Sequence, residues 1–237
     1  MKPKSIPCLR WVGEFVVIVV GVLTALAVDE WREYQSERER ETQYLAGFYE
    51  DLTRDEGQLA HTINTTTRSI RQAEALILQA GGTLDGHWQE LDNYDEVTIE
   101  TELPEGELRF FSTPLVFTPF RTTYTSIISS GELHLIRNPD LRRALVDYYE
   151  TVALVNDDDD TLATPMLQLA DFLVSRGVDL FHSDATQQVA QLPDALPYLS
   201  RARDGAHWRL RRLQNLKSRY DTALELLQSE SAMQTND

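Results

Sequence analysis

Residues 11–31 read WVGEFVVIVVGVLTALAVDEW. Between the two tryptophans the chain is apolar from Phe15 to Val28, apart from Gly21 and Thr24. Twenty residue steps along a helix span about 30 Å, the hydrocarbon thickness of a bilayer. Tryptophan favours the boundary between water and lipid, so Trp11 and Trp31 read as interfacial anchors. The stretch therefore reads as a transmembrane helix at 11–31, with the rest of the chain held beside a membrane.

The ends of this segment suggest an orientation. Residues 1–10 form a short basic tail with Lys2, Lys4 and Arg10 and no acid. Arg32, Arg38 and Arg40 lie beyond the segment. The acid-free tail favours a cytoplasmic N-terminus, which in a bacterium places the large domain in the periplasm, anchored in the inner membrane by a single pass. A basic start, an apolar run and Ala25-Leu26-Ala27 also fit a signal peptide with its cleavage site. Glu14 inside the run argues against that alternative, as does the helical pattern that continues beyond Ala27.

Gly13, Val17, Gly21 and Ala25 recur every four residues and share one helix face. Small residues at this spacing let two helix backbones approach closely, so Gly13, Gly21 and Ala25 are candidates for packing against a second copy or another membrane protein. Glu14 joins them, because an ionisable group in a membrane segment is a functional candidate. Its competing explanation is a local pair with Arg10, one turn earlier.

The chain has 237 residues, 42% of them hydrophobic, which suffices for one helical domain with its own core. Three basic and three acidic residues cancel up to residue 31, so the net charge of −16 belongs to residues 32–237. A surface that acidic disfavours nucleic acid, which requires a basic stripe. Cys8 is the one cysteine, so no disulfide framework exists.

Beyond Trp31 no proline interrupts residues 32–80, and Gly81-Gly82 reads as a stop. Steps of four and three give Leu45, Tyr49, Leu52, Glu56, Leu59, Ile63, Thr66, Ile70, Ala73 and Ile77. Eight of these ten are apolar or aromatic, a period near 3.5 that predicts a long helix with one face in a bundle or coiled coil. Glu56 and Thr66 break the seam. Residues 81–118 carry turn signals and an apolar patch including Leu108, Phe110, Phe111 and Phe117, and read as an irregular connection packed on the bundle.

Further helices are expected at about 119–130, 139–176 and 207–228, with a frayed tail at 229–237. In the first, Thr118 can cap, Gly131 can close, and Phe120, Tyr124, Ile127 and Ile128 make the inner face. Asn138 caps the second, with Pro139 in its first turn and Pro165 marking a break or kink. Trp208, Leu213, Leu216, Tyr220, Ala223, Leu224 and Leu227 share one face of the third.

No phosphate-binding glycine loop, nucleophile elbow or zinc motif occurs. His61, His87, His134, His182 and His207 are scattered and read as surface or capping residues. The acid run 157–160 is the one place for a hard cation, but four successive helical residues point in different directions. No cofactor, metal or catalytic residue is expected. Asp51 and Asp55, four apart on one helical face, read as structural acceptors for the helix-start turn near Asn138.

Three stretches carry a resemblance: GEFVVIVVGVLTALAVDEW, YLAGFYEDLTRD and YTSIISSGELHLIRNPDLRRALVDYY. Through Gly13-Glu14, Gly21, Trp31, Tyr44-Leu45, Asp51, Asp55, Ser130-Gly131, Leu133, Leu135-Ile136, Leu141-Arg142 and Tyr148-Tyr149, the chain resembles a bacterial family of single-span membrane proteins classed as a domain of unknown function. That family often has asparagines before the closing tryptophan, where this chain has Asp29 and Glu30. The resemblance covers most of residues 11–155 and implies a membrane anchor with a helical domain, without an activity. The expectation is therefore an all-α, membrane-anchored, non-enzymatic interaction or scaffold protein. The alternative is a periplasmic ligand-sensing domain that signals through a partner membrane protein.

Overall fold

A computed structural model of the chain describes residues 7–84, 108 and 117–234, with the side chains of 7–13, 157–163 and 232–234 outside that description. The described residues form an all-α structure without strands. Helix α1 runs Pro7–Gln79 without interruption. Then come α2 (Thr122–Ser130), a 3-10 turn at Glu132–Leu135, α3 (Pro139–Ser175), α4 (Ala185–Ala190), a 3-10 turn at Pro193–Ala195, and α5 (Leu196–Gln234).

The three long helices make the bundle. Arg137, just before α3, meets Glu41, and Tyr148 farther along α3 meets Asp55, so α3 runs parallel to α1. Leu196, at the start of α5, lies close to Gly82, while Glu230 near its end bonds Asn138. Helix α5 is therefore antiparallel to both and supplies most of their close backbone approaches. Helix α2 lies along the first half of the domain part of α1, running in the opposite direction.

The core has two main parts. Leu45, Phe48 and Leu52 of α1, Leu145, Tyr148 and Tyr149 of α3, and Leu213, Leu216 and Tyr220 of α5 fill the first, which Tyr124 and Ile127 of α2 complete. Near the far end, Leu76 and Ile77 pack with Leu169, Leu173, Val189 and Leu199. Each fully buried large side chain contributes roughly 1.5–3 kcal/mol relative to exposure. Between these parts a small cluster, Ile70 with Ala206 and Leu210, adjoins buried Thr62, Thr66 and Ser69. Those hydroxyls donate to carbonyls one turn back in their own helix, which satisfies them without a partner from another helix.

Helix α1 buries Leu45, Leu52, Leu59, Thr66, Ile70, Ala73 and Ile77 of the expected seam and departs from it at two positions. Phe48 and Asp55 point inward, whereas Tyr49 and Glu56 are exposed. The series 45, 48, 52, 55, 59 has the same average period as 45, 49, 52, 56, 59, so periodicity alone does not separate them. Close approach of α2 helps select the observed one. A Cβ on Gly47 would stand 2.7 Å from Thr123 Oγ1, so only glycine admits α2 at this distance.

Other differences have local causes. Helix α2 begins at Thr122, its N-cap is Arg121, and no side chain of its own caps it. Phe120 and Ile128 are exposed, leaving Tyr124 and Ile127 as its buried residues. Gly131 closes it as expected, in a left-handed conformation at φ 73° with its N–H on Ile127 and Ile128 carbonyls. Asn138 Oδ1 accepts from Asp140 N at 3.0 Å and Leu141 N at 3.2 Å, the expected cap.

Helix α3 continues through Pro165 to Ser175. Helix α5 starts at Leu196 rather than near 207, because Pro197 sits in its first turn, where a missing N–H costs nothing. It also extends into the stretch read as frayed, reaching Gln234, with Glu230 accepting from Asn138 Nδ2 at 2.8 Å. Trp208 is exposed rather than part of the inner face, with Arg211 over its ring. Of the 81–118 connection, Leu108 and Phe117 are described and fully buried, and Leu108 N–H donates to Leu180 O at 2.7 Å. Phe110 and Phe111 lie outside the described residues.

Candidate functional site

Two features of α1 stand out: an apolar surface on which none of the described residues packs, and a row of polar groups that grips another segment.

Every described side chain from Glu14 to residue 36 is exposed. Phe15 is 67% exposed, Val17 72% and Ile18 65%, and Val20, Leu23 and Leu26 are also open. An apolar helix surface of this length has a large cost in water and calls for another medium or partner. Thr24 turns its hydroxyl back to Val20 O at 2.8 Å, which removes its one polar group from the surface. Gly21 and Ala25 lie on this exposed segment, and a Cβ at Gly21 would meet none of the described residues. Trp31 is exposed at its end. The side chains of Arg10, Trp11 and Gly13 lie outside the described residues, and with them the Arg10–Glu14 pair. Among the described residues no helix is long and apolar enough to cross a membrane.

Farther along α1, four side chains bond the backbone of the segment 118–137. Glu41 Oε1 accepts from Arg137 N at 2.8 Å. Asp51 Oδ2 accepts from Thr123 N at 3.0 Å, and Asp55 Oδ1 from Phe120 N at 2.8 Å. Gln58, with its amide oriented to suit both partners, accepts from Thr118 N at 3.2 Å and donates to Thr118 O at 2.8 Å. The N-cap residue of α2, Arg121, makes no capping bond with its side chain, and the two α1 aspartates take over that task by binding amides at the helix start. Asp51 and Asp55 thus hold the start of α2, not the turn near Asn138. That turn is held by Glu41 and by its own Asn138 cap.

A group of tyrosines closes over this row. Tyr148 Oη donates to Asp55 Oδ2 at 2.7 Å, and Tyr149 Oη donates to Phe120 O at 3.2 Å. Tyr149 stacks on Tyr124 with centroids 4.3 Å apart, and Tyr148 lies edge-on to both Tyr149 and Tyr220. Burial pushes the phenols of Tyr148, Tyr149 and Tyr220 above their ordinary range, so all three stay neutral. Burial also raises the Asp55 carboxyl to about 6, against the lowering effect of the Phe120 N–H and Tyr148 hydroxyl. Closer to the N-terminal end of α1, Tyr44 donates to Glu132 at 2.7 Å and Arg40 pairs with the same carboxylate. The Tyr44 bond, ahead of Arg40, holds Glu132 below its usual carboxylate value.

This constellation binds a segment of its own chain rather than a substrate. Asp55 and Tyr148 are fully buried, and each carboxylate oxygen of Asp55 is already occupied. Asp55→Ala leaves the Phe120 N–H and the Tyr148 hydroxyl without an acceptor, and is expected to lower stability at pH 7 by about 2–4 kcal/mol. Asp55→Asn keeps an acceptor and removes the buried charge, so its stability should match or exceed wild type. Urea denaturation of both variants checks the contrast.

The remaining candidates do not assemble a site. Among the described residues no three metal-ligating side chains come together. The side chains of 157–160 lie outside the described residues. His207 is buried rather than on the surface, 3.5 Å from Glu74. His134 Nδ1 lies 3.1 Å from Gly131 O, and His182 Nδ1 2.5 Å from Asp184. An open groove of about 220 Å³ between α3 and α5 has its charges paired, Arg143 with Asp140 and Arg219 with Asp147. Spacing did not single out Glu41 and Gln58. Their signal is positional: Glu41 is in step with Leu45, Phe48 and Leu52, and Gln58 is in step with Asp51 and Asp55. Comparison with protein-family models, curated proteins and solved structures gives no match.

Proposed function

We propose that this chain is a single-pass membrane protein whose helical domain serves as a non-enzymatic interaction or scaffold module. The carrying observation is the exposure of residues 15–28, an apolar helical surface about 20 Å long that no other described residue covers. Adding Trp11 to Glu14 on one side and Asp29 to Trp31 on the other extends it to bilayer thickness. The acid-free tail argues for a cytoplasmic N-terminus and a periplasmic domain in a bacterial inner membrane. Resemblance to single-span bacterial membrane proteins across residues 11–155 points the same way.

The partner proposed for the span is a second copy, through Gly13, Glu14, Gly21 and Ala25. Gly21 supports this choice because the space beside it is open in the single chain. Crosslinking of the full-length protein in membranes is expected to yield a dimer that Gly21→Leu reduces several-fold. An unchanged dimer in that variant would remove this face from the interface.

A further inference from the structure

The start of α2 is held to α1 by two buried acids, and this arrangement responds to protons. We propose that the attachment of residues 117–138 to α1 is a pH-sensitive latch, tightened when Asp55 takes up a proton and loosened when Asp51 and Asp55 are both charged. The latch belongs to the helical domain and does not depend on the anchor.

Its basis is geometric. Asp51 and Asp55 are one turn apart on α1, so their Cβ atoms are about 5–6 Å apart. Asp55 is fully buried and Asp51 is 5% exposed. Among the described residues no basic side chain forms an ion pair with either. Arg54 pairs with Glu50 and lies over the Phe120 ring, and Arg121 acts on Tyr149. On α1 itself Glu56 adds negative charge near Tyr220. From α2 the facing titratable group is Tyr124, with Glu150 of α3 beside it. From α3 they are Tyr148 and Tyr149, and from α5 Tyr220 with Asp221 near it. No histidine belongs to this set. Two buried like charges without a cation are unfavourable, and a proton relieves them.

The proton has a defined place. Oδ1 keeps the Phe120 N–H, and Oδ2 carries the proton toward Tyr148 Oη, where the tyrosine changes from donor to acceptor. Both contacts survive while the charge disappears. When residues 117–138 detach, Asp55 returns to water and its ordinary acidity. Its carboxyl is raised to about 6 when docked, from 3.8. The docked state therefore binds the proton more tightly. The contribution of Asp55 to docking is complete below about pH 4 and is lost as pH rises through 6. Detachment would withdraw Tyr124 and Ile127 from the core they share with Leu45, Phe48 and Leu52.

Amide hydrogen exchange of the full-length protein, corrected for intrinsic rates, tests this. Protection of the Phe120 and Thr123 amides is expected to be about tenfold greater at pH 5 than at pH 7.5. In Asp55→Asn the protection should be independent of pH. In Asp51→Asn, where the like charge is gone, the rise should move to lower pH. Protection that is flat, or weaker at pH 5, in the wild-type protein would overturn the proposal. A rise that persists unchanged in Asp55→Asn would assign the effect to another group and equally overturn it.

Discussion

Phe48→Ala lowers the stability of the helical domain by about 3–5 kcal/mol, the cost of removing a fully buried aromatic side chain and leaving a cavity. Phe48 has no exposed surface and packs between α1 and α3, with its ring 6.2 Å from that of Tyr149. Tyr149 in turn stacks on Tyr124 and bonds Phe120, so the loss spreads to the attachment of α2. The neighbouring Tyr49 is the control. It is 46% exposed, and Tyr49→Ala is expected to change stability by less than about 1 kcal/mol. Thermal or urea denaturation of the two variants distinguishes the observed phase of α1 from the one that periodicity offered equally. Equal costs, or the reverse order, would mean that α1 is rotated, with Tyr49 rather than Phe48 facing α3.

On the proposed single-pass reading, pairing Val20→Arg with Val22→Arg is expected to release the protein from membranes. Both valines are exposed near the middle of the apolar run, and an arginine at the centre of a spanning helix costs roughly 2.5–3.5 kcal/mol. Two such charges remove most of the advantage that the apolar run gains from lipid. The wild-type chain should remain in the membrane pellet through alkaline carbonate extraction, and the double variant should appear in the supernatant. Protease added to spheroplasts should digest the wild-type domain if it faces outward. A wild-type chain that is soluble without detergent would end the membrane reading. One that is retained but protected from protease would reverse the orientation and keep the anchor.

The two substitutions probe different levels of organisation. The apolar run is a local property: a short stretch of neighbouring residues decides it, and it can be read without reference to the rest of the chain. The uninterrupted α1 is local too, because no proline occurs between residues 32 and 80. So are the Asn138 cap with Pro139 behind it and the Gly131 stop, whose conformations depend on a few adjacent residues. The buried set of α3, with Leu141, Leu145, Tyr148, Tyr149 and Val152, also arises from its spacing.

Tertiary structure decided what spacing left degenerate. Steps of three and four can begin with either, so Phe48 and Tyr49 were equivalent until α2 came against Gly47. A proline at the start of α5 reads equally as a break or a first turn, and packing of Leu199 and Ala202 in the far core made it a first turn. Polar residues were the least legible. Glu41, Asp51, Asp55 and Gln58 find their partners 60 to 96 residues away in sequence. A carboxylate that accepts a backbone N–H leaves no mark on the identity of the donor residue, since every residue but proline carries the same group. Sequence by itself therefore determined the uninterrupted α1, the helices from Pro139 and through 207–228, and which run is apolar. Only the folded bundle decided that Phe48 and Asp55 turn inward rather than Tyr49 and Glu56, that α5 begins at Leu196, and what the buried acids hold.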